Sequence, residues 1–118
     1  MSYKEKVIEK LANAGYAWAQ CELARLKIDR DDEAVIYWYT KAAEQGYPPA
    51  FLRLSAHYHL GKRVEQDLMK ALKLLLIAEI RSGRREREMC HEISERLDRG
   101  QVKEAQRQAG AWFVGAPL

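Results

Sequence analysis

Few side chains in this sequence have the type and spacing for chemistry. The histidines are His57, His59 and His91. His57 and His59 lie two apart, which on a helix puts them on different faces. His91 and Glu95 lie four apart and share a face, so they could form half a metal site. The run His91-Glu92-Ile93-Ser94-Glu95 starts like the HExxH zinc motif but lacks its second histidine. A surface histidine beside a helical glutamate accounts for it. Cys21 and Cys90 form no CxxC pair, which excludes a zinc knuckle and a thioredoxin-like site. Both sit in partly apolar helical patterns and are expected to be buried thiols. Ser55 and Ser82 stand in no nucleophile-elbow context. No glycine-rich phosphate loop occurs. Asp31-Asp32 falls at a helix start, where the dipole favours negative charge, and needs no acid–base role. The expectation is a protein without catalytic residues, cofactor or metal.

Charge offers one further candidate. The 118 residues carry 20 basic and 17 acidic side chains, net +3. Residues 1–60 hold 8 of each sign, and residues 61–118 hold 12 basic and 9 acidic. Arg81, Arg84, Arg85 and Arg87 concentrate that excess. Such a segment could hold phosphates or nucleic acid. Glu86 and Glu88 interrupt it, however, and it lacks the dense basic face with neighbouring aromatics of a nucleic-acid binder. A solvated helix start is the simpler reading.

These residues need elements to position them. The length fits one domain, and 47% apolar with 31% charged residues suits a folded, soluble chain. The longest apolar run, Leu74 to Ala78, is far short of the roughly 20 residues that span a bilayer. Lys4, Glu5 and Lys6 do not resemble the start of a secretory leader, and a cytoplasmic location is expected.

Strand signals are nearly absent, while helical periodicity runs almost throughout. Val7, Ile8 and Leu11 predict a first helix ending near Gly15. Ala19, Leu23 and Leu26 mark a second, at 17–28. A third, capped from the Asp29–Asp32 turn, carries Ala34, Tyr37, Trp38 and Ala42 and ends at Gly46. Pro48-Pro49 opens a fourth, which ends at Gly61. Asp67 caps a fifth ending near Gly83. Met89, Ile93 and Leu97 mark a sixth, and Val102, Ala105, Ala109 and Trp112 a last one. The tail Val114–Leu118, with Gly115 and Pro117, is expected to be loose.

The pattern repeats. Gly15-Tyr16-Ala17-Trp18-Ala19 aligns with Gly46-Tyr47-Pro48-Pro49-Ala50 at an offset of 31, and Leu23 matches Leu54. Ala34, Trp38, Tyr39 and Gly46 match Ala71, Leu75, Leu76 and Gly83 at an offset of 37. The change falls between paired helices, where loops tolerate deletion. One helical hairpin cannot bury both its faces, so neighbours must stack through small residues such as Ala19, Ala50, Ala34 and Ala71.

The run Trp38-Tyr39-Thr40-Lys41-Ala42-Ala43-Glu44-Gln45-Gly46-Tyr47, followed by Ala50, Leu54, Tyr58 and Gly61, resembles the signature of Sel-one-like repeats (SLR), relatives of tetratricopeptide repeats. Val64, Asp67, Lys70-Ala71 and Leu72 continue the likeness, which covers roughly residues 14–83. The first repeat departs from it in lacking the glycine-rich inter-helix loop. In the second, Leu75-Leu76 replaces the Trp-Tyr pair. The resemblance implies an all-α protein, a short right-handed α-α solenoid of helical hairpins. Residues 1–14 would then be an N-terminal capping helix, 15–46 repeat one, 47–83 repeat two, 84–113 a capping pair of helices and 114–118 the tail. It also implies a binding module, an adaptor or scaffold of a bacterial type.

In such solenoids the first helix of each hairpin lines the concave surface. Trp18, Glu22 and Arg25 form a stripe on one first helix, and Leu52, Arg53, Ala56 and His59 are expected to extend it on the next. Trp18 and the arginines are suitable anchors, although Trp18 could equally pack under the first helix. The expected partner is a protein or peptide in this groove, or a second copy of the chain. Nucleic acid or a phosphate ligand at the Arg81–Arg87 segment is the competing reading.

Overall fold

The computed structural model describes residues 2–118. Among them are seven helices and no strand: α1 (Tyr3–Asn13), α2 (Ala17–Leu26), α3 (Asp32–Glu44), α4 (Pro48–Leu60), α5 (Leu68–Ser82), α6 (Arg87–Glu95) and α7 (Arg99–Ala111). Their ends follow from local chemistry. The side chains of Ser2, Asp31, Asp67 and Asp98 accept the backbone N–H three residues on, which satisfies an otherwise unpaired helix donor. At α7 the cap is reciprocal, since the Gln101 side chain also accepts from the Asp98 N–H. Pro48 and Pro49 occupy the first turn of α4, where no intrahelical N–H is needed.

Consecutive helices pack pairwise from α1 to α5, and the molecule extends over 48 × 26 × 22 Å. Ala19, Ala50 and Ala71 are fully buried, and their small side chains let neighbouring helices approach. The close fit shows where Ser55 Oγ donates to the Ala71 carbonyl at 2.7 Å across α4 and α5. The core forms three apolar clusters in series. One holds Ile8, Ala12, Ala19 and Leu23; a central one holds Val35, Tyr39, Phe51, Leu54 and Ile77; a third holds Leu72, Leu75, Ile93 and Ala105. Trp38 bridges the first two, and Leu52, Tyr58 and Leu76 the last two. Serial clusters joined by shared residues are the packing of a stacked array.

Polar links join the units as well. Gln20 is buried between its donor bond to the Ala12 carbonyl and its acceptor bond from Gln45. Arg63, in the α4–α5 loop, reaches Asp29 of the α2–α3 loop and Asp32 at the start of α3, each at 3.1 Å. Both aspartates are largely exposed, so this link contributes about 1 kcal/mol at most.

Residues 84–113 form the two helices α6 and α7: α7 lies along α5, α6 makes a smaller contact with α5, and Ile93 and Ala105 share the third cluster. One expectation needs correction. The tail is not loose. Trp112 packs edge-on against Phe51, with ring centroids 5.2 Å apart, and its Nε1–H donates to the Ala116 carbonyl. The Gly115 N–H donates to the Glu44 carbonyl, and Lys73 Nζ to the Leu118 oxygen. Gly115 lies in the turn Phe113–Ala116, whose last carbonyl accepts from Trp112.

Candidate functional site

The exposed edge of α2 carries Trp18, Glu22 and Arg25, with Cys21 beside them. Glu22 accepts from both Nε and Nη2 of Arg25 one turn on, and this hydrogen bond holds its carboxyl below the usual range. The exposed edge of α4 carries Pro49, Arg53, Ala56 and Leu60, with His57 at its flank. Between the two lies Tyr39 of α3, only 2% exposed, its ring 5.9 Å from that of His57. The charges that reach the Tyr39 phenol are those of Cys21, Arg53, Arg25 and Glu22, on α2 and α4. Arg53 makes no ion pair with another described residue.

The site is electrostatically uneven. Burial pushes the Tyr39 phenol up and the His57 imidazole down, so both are neutral near pH 7. His57 Nδ1 lies 3.2 Å from the Lys62 carbonyl, which fixes the N–H there and leaves Nε2 an acceptor. Burial pushes the Cys21 thiol up to about 11; Arg53 opposes the shift and Glu22 adds to it. Cys21 therefore lacks the thiolate character of a nucleophile. Its alkylation by iodoacetamide at pH 8, in a Cys90→Ser background, is expected to be ~100-fold slower folded than unfolded. Mass spectrometry reads the ratio, and equal rates would remove the buried-thiol assignment. Because the folded value is the raised one, the thiol adds stability below the unfolded value and loses it as pH rises through the folded one.

The structure leaves Glu22 and Arg25 at the open edge of α2 and Arg53 at that of α4, with Trp18 47% exposed. It turns two other expected residues aside. Leu52 is half-buried between clusters and lines a notch of about 200 Å³ with Pro48, Pro49, Ser82, Arg84 and Glu86. His59 is 6% exposed, with Nε2 3.8 Å from Glu92 of α6. Its expected place on the open surface is therefore incorrect. Successive helical residues rotate by about 100°, so Leu52 and His59 share a flank that Arg53 does not.

The competing basic segment does not form one patch. Arg81 Nε donates to the Gly46 carbonyl at 2.7 Å, and its guanidinium lies over the Trp112 ring. Arg84 borders the Leu52 notch, whereas Arg85 and Arg87 border another depression with Cys90 and His91. His91 and Glu95 form an exposed pair at 3.1 Å. Among the described residues no three His, Cys, Asp or Glu side chains gather as metal ligands would.

Cys21, Tyr39 and His57 are absent from the sequence-based site. The repeat itself holds part of the missing signal. Carried forward by 31 residues, Trp18, Glu22 and Arg25 fall on Pro49, Arg53 and Ala56, the exposed stripe of α4, and not on Leu52 or His59.

Comparison with solved structures settles the architecture. A protective antigen present in uropathogenic Escherichia coli strains, whose crystal structure displays an SLR fold, superposes with a TM-score of 0.78 at 23% sequence identity. The match covers 89% of this chain and 24% of the antigen. The chain has the SLR fold. It spans about a quarter of that SLR protein's length. No protein-family model and no curated protein matches the sequence. No described helix of this SLR array is long and apolar enough to cross a membrane.

Proposed function

We propose that this SLR domain is a non-enzymatic interaction module that holds a protein or peptide against the α2/α4 face. One observation carries the reading: Arg53, exposed on α4, makes no ion pair with another described residue, and Trp18 is 47% exposed on α2. Uncommitted arginine and exposed tryptophan are the residue types on which binding energy concentrates. Trp18 lies on the same face, one turn from Glu22. A second copy of the chain belongs to the same class of partner. The phosphate-binding alternative has less behind it, because Arg81 is already engaged and Arg84 faces a different depression from Arg85 and Arg87.

Affinity capture with wild type, Arg53→Glu and Trp18→Ala tests the proposal. Both side chains are exposed, so melting temperatures should hold. Loss of a specific partner by about 30-fold in apparent affinity, with Arg53→Glu the stronger effect, is the expected result. If both variants retain every partner, the face is wrongly chosen.

A further inference from the structure

Along the chain, Glu86 and Glu88 offset the arginines around them. In space they do not. Arg85, in the α5–α6 connector, and Arg87, the first residue of α6, line a depression of about 340 Å³ between α5, α6 and α7. Glu86 instead borders the Leu52 notch, and Glu88 lines neither space. Both arginines are exposed, and neither makes an ion pair with another described residue. Arg25, Arg30, Arg63 and Arg107, by contrast, each hold a carboxylate. The other ionisable groups at the depression are engaged. His91 pairs with Glu95, and Glu79 Oε1 accepts the Glu86 N–H at 3.3 Å. The lining has an apolar part as well, since Leu76 and Cys90 are half-buried and pack against the third cluster. Room is left there because α6 is short and makes a smaller contact with α5 than α7 does. Uncommitted guanidinium forks beside an apolar wall match carboxylates next to an aliphatic side chain. They do not match a nucleic-acid strand, which is held through many spaced phosphates and by stacking aromatics. Among the described residues, no Phe, Tyr or Trp lines this depression.

We propose that the α5/α6/α7 depression is a second interaction surface and takes an acidic segment of a protein, an aliphatic side chain lying on Leu76 and Cys90 while neighbouring carboxylates are held by Arg85 and Arg87. The surface shares no residue with the α2/α4 face and does not depend on it. Burial of the aliphatic side chain supplies affinity, and the arginines select for negative charge.

The test uses the full chain and the acetylated, amidated peptide Ala-Glu-Glu-Leu-Glu-Glu-Ala. Cys90 lines the depression, so its alkylation by iodoacetamide, read by mass spectrometry, reports occupancy. Cys21, on α2, is the internal reference. Saturating peptide should slow Cys90 about tenfold and leave Cys21 unchanged. A peptide with every Glu replaced by Gln should need about tenfold more for the same protection. Replacing Leu by Ser should cost a similar factor. Arg85→Ala and Arg87→Ala, each compared with its own rate without peptide, should weaken protection about fivefold apiece at unchanged melting temperature. Arg53→Glu should change none of these values. Equal protection by the Glu and Gln peptides overturns the proposal, as does protection that survives both arginine substitutions. Stronger protection by a single-stranded oligothymidylate overturns it in favour of nucleic acid. No protection at about 1 mM peptide overturns it too. Protection lost in Arg53→Glu alone would move the peptide to the α2/α4 face and leave that reading standing while this one falls.

Discussion

Replacing Phe51 by Ala is expected to lower the melting temperature by roughly 12–20 °C, read by circular dichroism. Phe51 is fully buried and points away from the exposed stripe of α4, into the central cluster. Truncating a buried aromatic costs about 3–5 kcal/mol, from lost transfer energy and the cavity left behind. The site cannot easily collapse, because the ring lies within the central cluster and Trp112 packs edge-on against it at 81°. Trp112 in turn is held by the tail turn. A double-mutant cycle with Trp112→Ala should give a coupling of about 0.5–1.5 kcal/mol, the usual worth of an aromatic pair beyond its buried area. A shift below about 5 °C would mean that the neighbours close the cavity, and that the central cluster is less rigid than its packing implies.

The second large effect belongs to Gly46→Val, expected to cost about 3 kcal/mol. Gly46 follows α3 with φ +85°, a conformation that strains an L side chain by about 1–2 kcal/mol. A Cβ there would come within 2.5–2.7 Å of the Arg81 guanidinium. Arginine can usually swing away from such a clash, but here its Nε–H is spent on the Gly46 carbonyl and its plane covers Trp112. Moving it gives up both contacts. In an Arg81→Ala background the same substitution should cost only the backbone strain, about half as much. Equal costs in the two backgrounds would show that Arg81 contributes nothing to the junction.

The helical architecture was legible because each element announces its own ends. The Asp31 and Asp67 caps, the Pro48-Pro49 start and the Gly61 and Gly83 stops act over three or four residues, within reach of a linear reading. The repeat was legible for the same reason, as Ala19 and Ala50 answer identical packing needs. The candidate site was only partly so. Glu22, Arg25 and Arg53 follow from the periodicity of exposed faces. Leu52 and His59 do not, because Leu52 and Arg53 are adjacent in the chain and cannot both face one groove. Tyr39 was hidden for a different reason. It reads as a core aromatic and is one, and nothing in the linear sequence tells that its hydroxyl lacks a hydrogen-bond partner among the described residues. The Arg81 tether and the tail contacts depend on residues some 35 to 70 positions apart, which no local pattern encodes.

In an open stack each unit touches only its nearest neighbours, and the last can melt while the rest persist. The chain's final turn breaks that rule. It leaves α7, passes beyond α5, and fastens to the end of α3 and to a ring on α4. Peeling α7 away therefore also strips the middle of the array. This last turn acts as a clasp, and loss of α7 is expected to loosen α3 and α4 together with it.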